Sequence, residues 1–315
     1  MKKYLFVLLL VVGLAIVTYG LALADNGPHG GYGPATDACA GCHRAHTAQA
    51  SKLLVTSSTA LCETCHASTG AGADTNVWGG VYLNRDAVNE VPAEGVAGRG
   101  LKGGGFATAL MDTDDGTIAG VSPSLATTSA HTFDGTTNGT IWGNGAEGSG
   151  EGGSLALSCT NCHNPHGKAG TGGTATYRIL RPVPNGSGAG TGVDVADETN
   201  KAYTIGNANG IYYGESYGDG LSPWCSQCHS RYLAGLNSDD TPLAGESIFT
   251  YRHDTSQLGL SCMSCHVAHG TAAVMGPNSG SVPWPGGATS PSGNARSSLL
   301  RLDNRGLCYK CHPTP

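Results

Sequence analysis

The chain has one continuously apolar stretch, which runs from Tyr4 to about Tyr19. Two lysines precede it, and the small-residue sequence Ala22-Leu23-Ala24 follows it. A charged start, an apolar middle and an A-x-A end are typical of a secretory signal peptide. The stretch is too short and wrongly flanked for a membrane-spanning helix, and no later stretch is apolar enough to be one. We therefore expect residues 1–24 to be removed and residues 25–315 to be exported; an uncleaved N-terminal anchor is the alternative.

Beyond this stretch, the hydrophobic pattern predicts only short elements. Helices are predicted at Thr47–Ser57 and Arg296–Leu302, and strands within Asn76–Asn84 and Ala202–Tyr213. Long loops are predicted for the cysteine-free segments 67–158, 167–224 and 270–307, of which the first is rich in Gly, Thr, Ala, Asn and Asp. The predicted fold class is a mostly irregular chain with short helices and few short strands.

The composition is unusual for a globular chain of this length. Glycine accounts for 50 of the 315 residues, and aromatic residues for only 6%. A chain so poor in large side chains has difficulty closing an ordinary hydrophobic core, and its composition alone is compatible with disorder. The formal net charge is −6, and removal of the two early lysines makes it more negative. This charge argues against nucleic-acid binding, which requires a basic surface.

All twelve cysteines fall in Cys-x-x-Cys pairs, and a histidine follows each pair directly. We number the six motifs in chain order: site 1 is Cys39, Cys42 and His43; site 2 is Cys62, Cys65 and His66; site 3 is Cys159, Cys162 and His163; site 4 is Cys225, Cys228 and His229; site 5 is Cys262, Cys265 and His266; site 6 is Cys308, Cys311 and His312. This motif is the attachment site of a c-type haem. Its cysteines form thioethers with the haem, and its histidine is the proximal iron ligand.

A zinc knuckle or a disulfide is the alternative for a single motif of this kind. Six motifs with no cysteine left over favour haem, and export fits, because c-type haem is attached outside the cytoplasm. We therefore predict six haem c groups. Their large apolar rings would form the core that the side chains do not supply, and the many glycines would let the backbone approach them closely.

Six of the twelve histidines lie outside the motifs and match the number of irons: His29, His46, His131, His166, His253 and His269. We predict that they are the distal ligands. Each of them taken alone is equally compatible with an exposed or hydrogen-bonded surface histidine. Methionine is the competing distal ligand in cytochromes c. Of Met111, Met263 and Met275, only Met275 is a plausible substitute, because Met263 lies inside the motif of site 5.

Histidines and motifs recur in a fixed order three times. Each repeat consists of a histidine, a Cys-x-x-Cys-His-x-x-His sequence and a second Cys-x-x-Cys-His. A recurring order of this kind indicates a structural repeat. We predict a single hexahaem domain over residues 25–315, built of three two-haem modules at about 25–130, 131–245 and 246–315.

The Cys-x-x-Cys-His-x-x-His sequence joins two different haems. Opposed ligands of one iron require Cα atoms about 12 Å apart, by an estimate from bond lengths. Three fully extended residues span only about 10 Å. His163 and His166 therefore cannot bind the same iron, and the same holds for the other two sequences of this type. Such a joint brings neighbouring haems close together.

Two histidines on every iron leave no coordination position open for a substrate, and the ligand set decides between catalysis and electron transfer. We therefore predict an electron carrier and not an enzyme. A multihaem reductase is the alternative. Some enzymes of that class use lysine in place of the proximal histidine, and Cys-x-x-Cys-Lys does not occur here.

The motifs resemble those of exported multihaem c-type cytochromes of metal-reducing bacteria, and among them the OmcS-type hexahaem cytochromes that polymerise into extracellular nanowires. The resemblance rests on the early His29, the first motif close behind the mature N-terminus, the six-motif count, and the segments 159–167, 262–270 and 302–312. It implies a haem-cored chain with a continuous line of haems and an extracellular or cell-surface homopolymer. The implied partners are redox cytochromes and an extracellular electron acceptor.

The resemblance further implies that one haem takes its distal histidine from the neighbouring protomer. His46 matches that role, and His29 is the other candidate. A monomeric periplasmic or cell-surface carrier, with all twelve ligands within one chain, is the alternative function.

Overall fold

The computed structural model describes residues 29, 38–67, 73, 75–82, 100–109, 125–145, 152–167, 177–195, 202–203, 220–232, 261–273 and 299–301. Sites 1 to 5 fall within these ranges. The signal peptide, site 6, His253, Met111 and Met275 lie outside the described residues.

The described residues form short elements. The helices are α1 (Ala38–Cys42), α2 (Ser58–His66), α3 (Cys159–Cys162), α4 (Leu221–Cys225) and α5 (Cys262–Cys265), with 3-10 turns at Ser51–Leu53, Tyr177–Ile179 and Ser230–Tyr232. The strands are β1 (Thr75–Asn76), β2 (Val81–Tyr82), β3 (Gly100–Leu101), β4 (Thr108–Ala109), β5 (Leu125–Ala126), β6 (Ser129–Ala130), β7 (Gly139–Thr140), β8 (Ser154–Leu155), β9 (Ala202–Tyr203) and β10 (Gly270–Thr271).

Serine residues begin the helices of three sites. The Ser57 side chain accepts a hydrogen bond from the Ala60 amide, and the Ser261 side chain accepts one from the Met263 amide. Ser158 forms a capping box with Asn161. A serine in this position accepts from an amide that would otherwise lack a partner at the helix start. The sequence Ser-Cys at sites 3 and 5 thus starts a helical turn at the first cysteine.

The strands form small antiparallel sheets. One sheet has four strands in the order β1-β2-β3-β9, and the others pair β10 with β6, β4 with β5, and β7 with β8. The strand predicted within Asn76–Asn84 is a hairpin, in which Asn76 pairs with Val81. Gly80 makes this turn possible because its φ of 68° is unfavourable for other residues. Of the strand predicted within 202–213, the described part is β9.

Both predicted helices outside the motifs are wrong where the structure describes them. Within Thr47–Ser57 there is only the 3-10 turn, and Lys52 and Leu53 have φ angles of 61° and 60°. Within 296–302, Leu299 has a φ of 62° and Leu300 forms an isolated bridge with His266. Left-handed residues of this kind break a helix. In both places, pairing with a histidine of a site overrides the local helix propensity.

The hydrophobic core of the described residues is small. Leu180, Val195, Leu221 and Met263 are buried together, with Cys162 and Trp224 packed against them. The cluster therefore lies between sites 3, 4 and 5. Among the helices, α2 contacts α3 and α4 contacts α5. No helix in the described part of the chain is long and apolar enough to cross a membrane.

Candidate haem-binding sites

Each described motif closes one helical turn. At sites 1, 3, 4 and 5, the amide of the histidine donates to the carbonyl of the first cysteine over 2.7, 2.9, 3.0 and 2.8 Å. At sites 3 and 5 the histidine itself has extended backbone angles. The turn therefore holds both cysteines on one short helical segment, and the chain leaves it at the proximal histidine.

A second segment pairs with the histidine at sites 1, 3 and 5. We call these the bridge segments; they are Leu53-Leu54, Ile179-Leu180 and Leu299-Leu300. The second residue of each forms an antiparallel bridge with His43, His163 or His266. The carbonyl of the first residue accepts from the amide of the residue after that histidine, over 2.8 Å in all three cases. Sequence reasoning missed these segments, although the repeated pair of large aliphatic residues downstream of each motif would have revealed them.

The rings of four proximal histidines each lie close to the ring of one of the histidines predicted to be distal. The ring centroids of His43 and His166 lie 5.9 Å apart, and those of His66 and His29 lie 6.0 Å apart. The distance is 6.4 Å for His163 and His269, and 6.3 Å for His229 and His131. Every pair joins residues that are distant in the sequence, and none joins the two histidines of one Cys-x-x-Cys-His-x-x-His sequence.

These separations fit one iron between the rings. A metal–nitrogen bond of about 2.0 Å and about 1.15 Å from the nitrogen to the ring centroid give about 6.3 Å for two opposed imidazoles. Two imidazoles in direct van der Waals contact through their faces would lie closer, as Phe106 and Phe133 do at 3.8 Å. The described residues thus fit a haem that is ligated by histidine on both faces.

The hydrogen bonds of the histidines leave one nitrogen available for a metal. The Nδ1 atoms of His43, His163 and His229 donate to backbone carbonyls over 2.8, 2.8 and 2.6 Å. Those of His29 and His131 do the same over 2.9 and 2.6 Å. A bond of this kind fixes the tautomer and leaves Nε2 as the metal ligand.

Burial keeps several of these imidazoles neutral. It lowers the pKa of His66, His131, His163 and His229, and it lowers the pKa of His269 to about 3. Histidine must be neutral to bind a metal. Burial therefore favours the protonation state in which these histidines could bind a metal.

The early histidine of one repeat is anchored to the next repeat. His29 Nδ1 donates to the Pro165 carbonyl, directly before His166. His131 Nδ1 donates to the Ala268 carbonyl, directly before His269. The two contacts are equivalent in the repeat, so successive units are joined in the same way.

Attachment cysteines of neighbouring sites touch each other. The thiols of Cys62 and Cys159 share a hydrogen bond, which raises the pKa of Cys62 and lowers that of Cys159. A second such bond raises the pKa of Cys225 and lowers that of Cys262 to about 7. Site 2 therefore meets site 3, and site 4 meets site 5, at the sulfur atoms that would carry the haem edges.

Several predicted residues fall outside these pairs. His46 is exposed on the turn that follows site 1. The backbone amide of His266 donates a hydrogen bond to the Cys262 carbonyl, and His266 forms an antiparallel bridge with Leu300. His253 and site 6 are not among the described residues. Met263 belongs to the hydrophobic core, which agrees with the expectation that it is not a ligand.

The side-chain arrangement differs from that of a structural zinc site. Such a site brings four cysteine or histidine ligands together. In the described ranges there is no group of three or more His, Cys, Asp or Glu side chains that could hold a metal ion. Histidines in pairs suit a haem, in which the porphyrin supplies the remaining ligands.

Comparison with known families identifies the first two sites. Residues 33–71 match a protein-family model described as a doubled CXXCH motif. Comparisons with curated proteins and with solved structures gave no significant match. The doubled motif supports a multihaem c-type cytochrome, with covalently bound haem and an electron-transfer role.

Proposed function

We propose that the chain binds six c-type haems, each ligated by two histidines, and carries electrons along them in a filament of identical subunits outside the cell. The observation that carries this proposal is the set of four histidine pairs 5.9–6.4 Å apart. Bound haem supplies a one-electron couple. The paired histidines would hold the bound haems, and the contact of Cys62 with Cys159 and of Cys225 with Cys262 supports short gaps between neighbouring haems.

The four pairs follow two rules. The early histidine of a unit faces the second site of the same unit, as His29 faces His66 and His131 faces His229. The histidine that ends a Cys-x-x-Cys-His-x-x-His sequence faces the first site of the preceding unit, as His166 faces His43. By the first rule, His253 serves His312.

The second rule also applies to His46 and His266. It assigns His46 to the first site of a unit that precedes site 1. It also assigns to His266 a histidine from a following unit. Both requirements are met if His46 of one subunit serves His266 of the next. The exposed position of His46 supports this assignment. The alternative donor, His29, faces His66 within its own chain.

Spectroscopy of the holoprotein tests the ligand pairs. The purified protein is expected to contain six haems, all low-spin. His166→Ala and His269→Ala should each convert one haem to the high-spin form and leave the haem content unchanged, because the thioethers remain. A fully low-spin spectrum in either variant would contradict the corresponding pair.

Electron microscopy tests the assembly. The native protein is expected to form filaments, and His46→Ala should abolish them. His166→Ala is the matched control. It removes the equivalent histidine of site 3, which pairs with His43 of the same chain, and should leave filaments intact. Monomers with six low-spin haems would instead support the monomeric carrier.

A further inference from the structure

An arginine is bonded to the same backbone carbonyl at sites 1, 3 and 5. The carbonyl belongs to the first residue between the two cysteines. At site 1, Arg44 Nε donates to Ala40 over 3.4 Å. At site 3, Arg181 Nε donates to Thr160 over 2.7 Å. The corresponding bond at site 5 joins Arg301 Nη1 to Met263 over 3.1 Å.

Two of these arginines occupy equivalent positions in the repeat. Arg181 and Arg301 each follow a bridge segment directly. Their amides donate to the carbonyl of the second cysteine, Cys162 or Cys265, over 2.8 and 3.0 Å. At site 1 the equivalent residue is Val55, and Arg44 reaches the carbonyl from another direction. The guanidinium group thus comes from the residue after the bridge segment at sites 3 and 5, and from the residue after the motif histidine at site 1.

The three arginines differ in burial. Arg44 is exposed and Arg181 is half-buried. Arg301 is 1% exposed. Arginine stays charged in all three settings. A charge acts more strongly where water is excluded, because the effective dielectric constant is lower there. The turn to which each guanidinium is bonded carries both attachment cysteines, so the charge would lie near the attached haem.

We propose that the two covered arginines, Arg181 and Arg301, raise the reduction potentials of their sites, so that site 5 lies above site 3 and site 3 above site 1, where Arg44 is exposed to water. Reduction adds one electron to a site and no proton. A fixed positive charge favours the form with the added electron, and charge and burial are established determinants of haem potentials. The proposal rests on the proposed function, since it requires haem at these sites.

Potentiometric titration of the six-haem protein tests the proposal with three matched substitutions. Arg301→Gln should lower one of the six one-electron steps by at least tenfold in its equilibrium constant, which is about 59 mV for one electron. Arg181→Gln should lower a different step by less. Arg44→Gln is the exposed control and should leave all six steps in place. Equal shifts in the three variants, or no shift in Arg301→Gln, would overturn the proposal.

Lysine variants separate charge from the shape of the turn. Arg181→Lys keeps the charge and should retain the potential that Arg181→Gln loses. An equal loss in both variants would show that the bond to Thr160, and not the charge, acts on the site, and would overturn the proposal. Because Arg301→Gln alters a buried residue and has a risk of misfolding, Val55→Arg provides a gain-of-charge test. It should raise one step of the folded protein.

The haem content distinguishes failure of this proposal from failure of the proposed function. If the wild type has six low-spin haems and the arginine variants have the same potentials as the wild type, only the role of the arginines is contradicted. A wild-type protein with fewer haems, or with a high-spin haem in the filament, would contradict the proposed function itself.

Discussion

Sites 1 and 3 share a local design but lie in different surroundings. Both close a helical turn from the first cysteine to the histidine, and both pair that histidine with a bridge segment. At site 1 the residues from Cys39 to Cys42 are exposed, and so is Leu53, at 54%. At site 3, Cys162 packs against the hydrophobic core. The two sites therefore share the backbone geometry of the repeat but differ in solvent exposure, which depends on what each site packs against.

This difference has a functional meaning. An internal site is covered by the units on either side of it. A terminal site in a repeat lacks one neighbour and exposes the surface that the neighbour would cover. In the proposed filament, a neighbouring subunit would cover site 1 and His46, which are exposed in the single chain.

The largest effect is expected from removing the haem attachment at each site. The double substitution of Cys159→Ser and Cys162→Ser should remove more than one haem and abolish cooperative thermal unfolding. The reason is that Cys162 packs against the core between sites 3, 4 and 5. Cys39→Ser with Cys42→Ser should cost one haem and leave the remainder folded. Haem content and differential scanning calorimetry measure both outcomes. If both variants contain five haems and unfold at the same temperature, sites 1 and 3 contribute equally to folding and the prediction is wrong.

The next largest effect is expected from truncating a buried and an exposed side chain. Met263→Ala should lower the free energy of unfolding by about 2–5 kcal/mol, since Met263 is 7% exposed and lies in the core. Leu53→Ala should change it by about 0.5 kcal/mol or less. Denaturant titration of the haem-loaded protein provides the values. Similar losses in both variants would mean that the bridge segment of site 1 is as buried as the core.

A smaller effect is expected when the same substitution is made at two glycines. A Cβ atom on Gly103 would lie 3.0 Å from His269 Nδ1, whereas a Cβ atom on Gly41, inside helix α1, would meet nothing within 4 Å. Gly103→Ala should therefore displace the His269 ring and raise the high-spin fraction at site 3. Gly41→Ala should leave the spectrum unchanged and stabilise the helix by about 1 kcal/mol or less. An unchanged spectrum in Gly103→Ala would show that the ring position is not critical.

The smallest effect is expected from a single hydrogen bond of the core. Trp224 Nε1 donates to the Arg181 carbonyl over 2.6 Å and links site 4 to the bridge region of site 3. Trp224→Phe keeps the aromatic ring and removes this bond, so the free energy of unfolding should fall by about 1 kcal/mol. Thermal unfolding monitored by circular dichroism measures the change. A loss as large as that of Met263→Ala would indicate that the indole has a further role.

The chemistry of the chain was accessible from its sequence because the haem motif is local. A cysteine pair and a histidine within five residues define each motif, and the predicted number of ligands came from a count of the histidines. The partner of each histidine was not accessible, since the pair of His29 with His66 and the pair of His163 with His269 depend on how distant segments pack. Only the local exclusion at His166 could be derived from chain length.

The segments between the motifs were predicted less well. The helix predicted at Thr47–Ser57 was wrong because Leu54 pairs with His43, and that pairing requires left-handed angles at Lys52 and Leu53. Helix propensity describes the isolated segment, whereas in the folded chain the pairing with His43 determines the backbone conformation. The three bridge segments recur with the motifs, so a search for repeats that included aliphatic pairs would have found them.

Cryo-electron microscopy of the native assembly would reveal the ligands of the iron attached at Cys262 and Cys265. We expect His266 on one face and His46 of the neighbouring subunit on the other. A distal ligand from the same chain, or an open coordination position at that iron, would contradict this expectation.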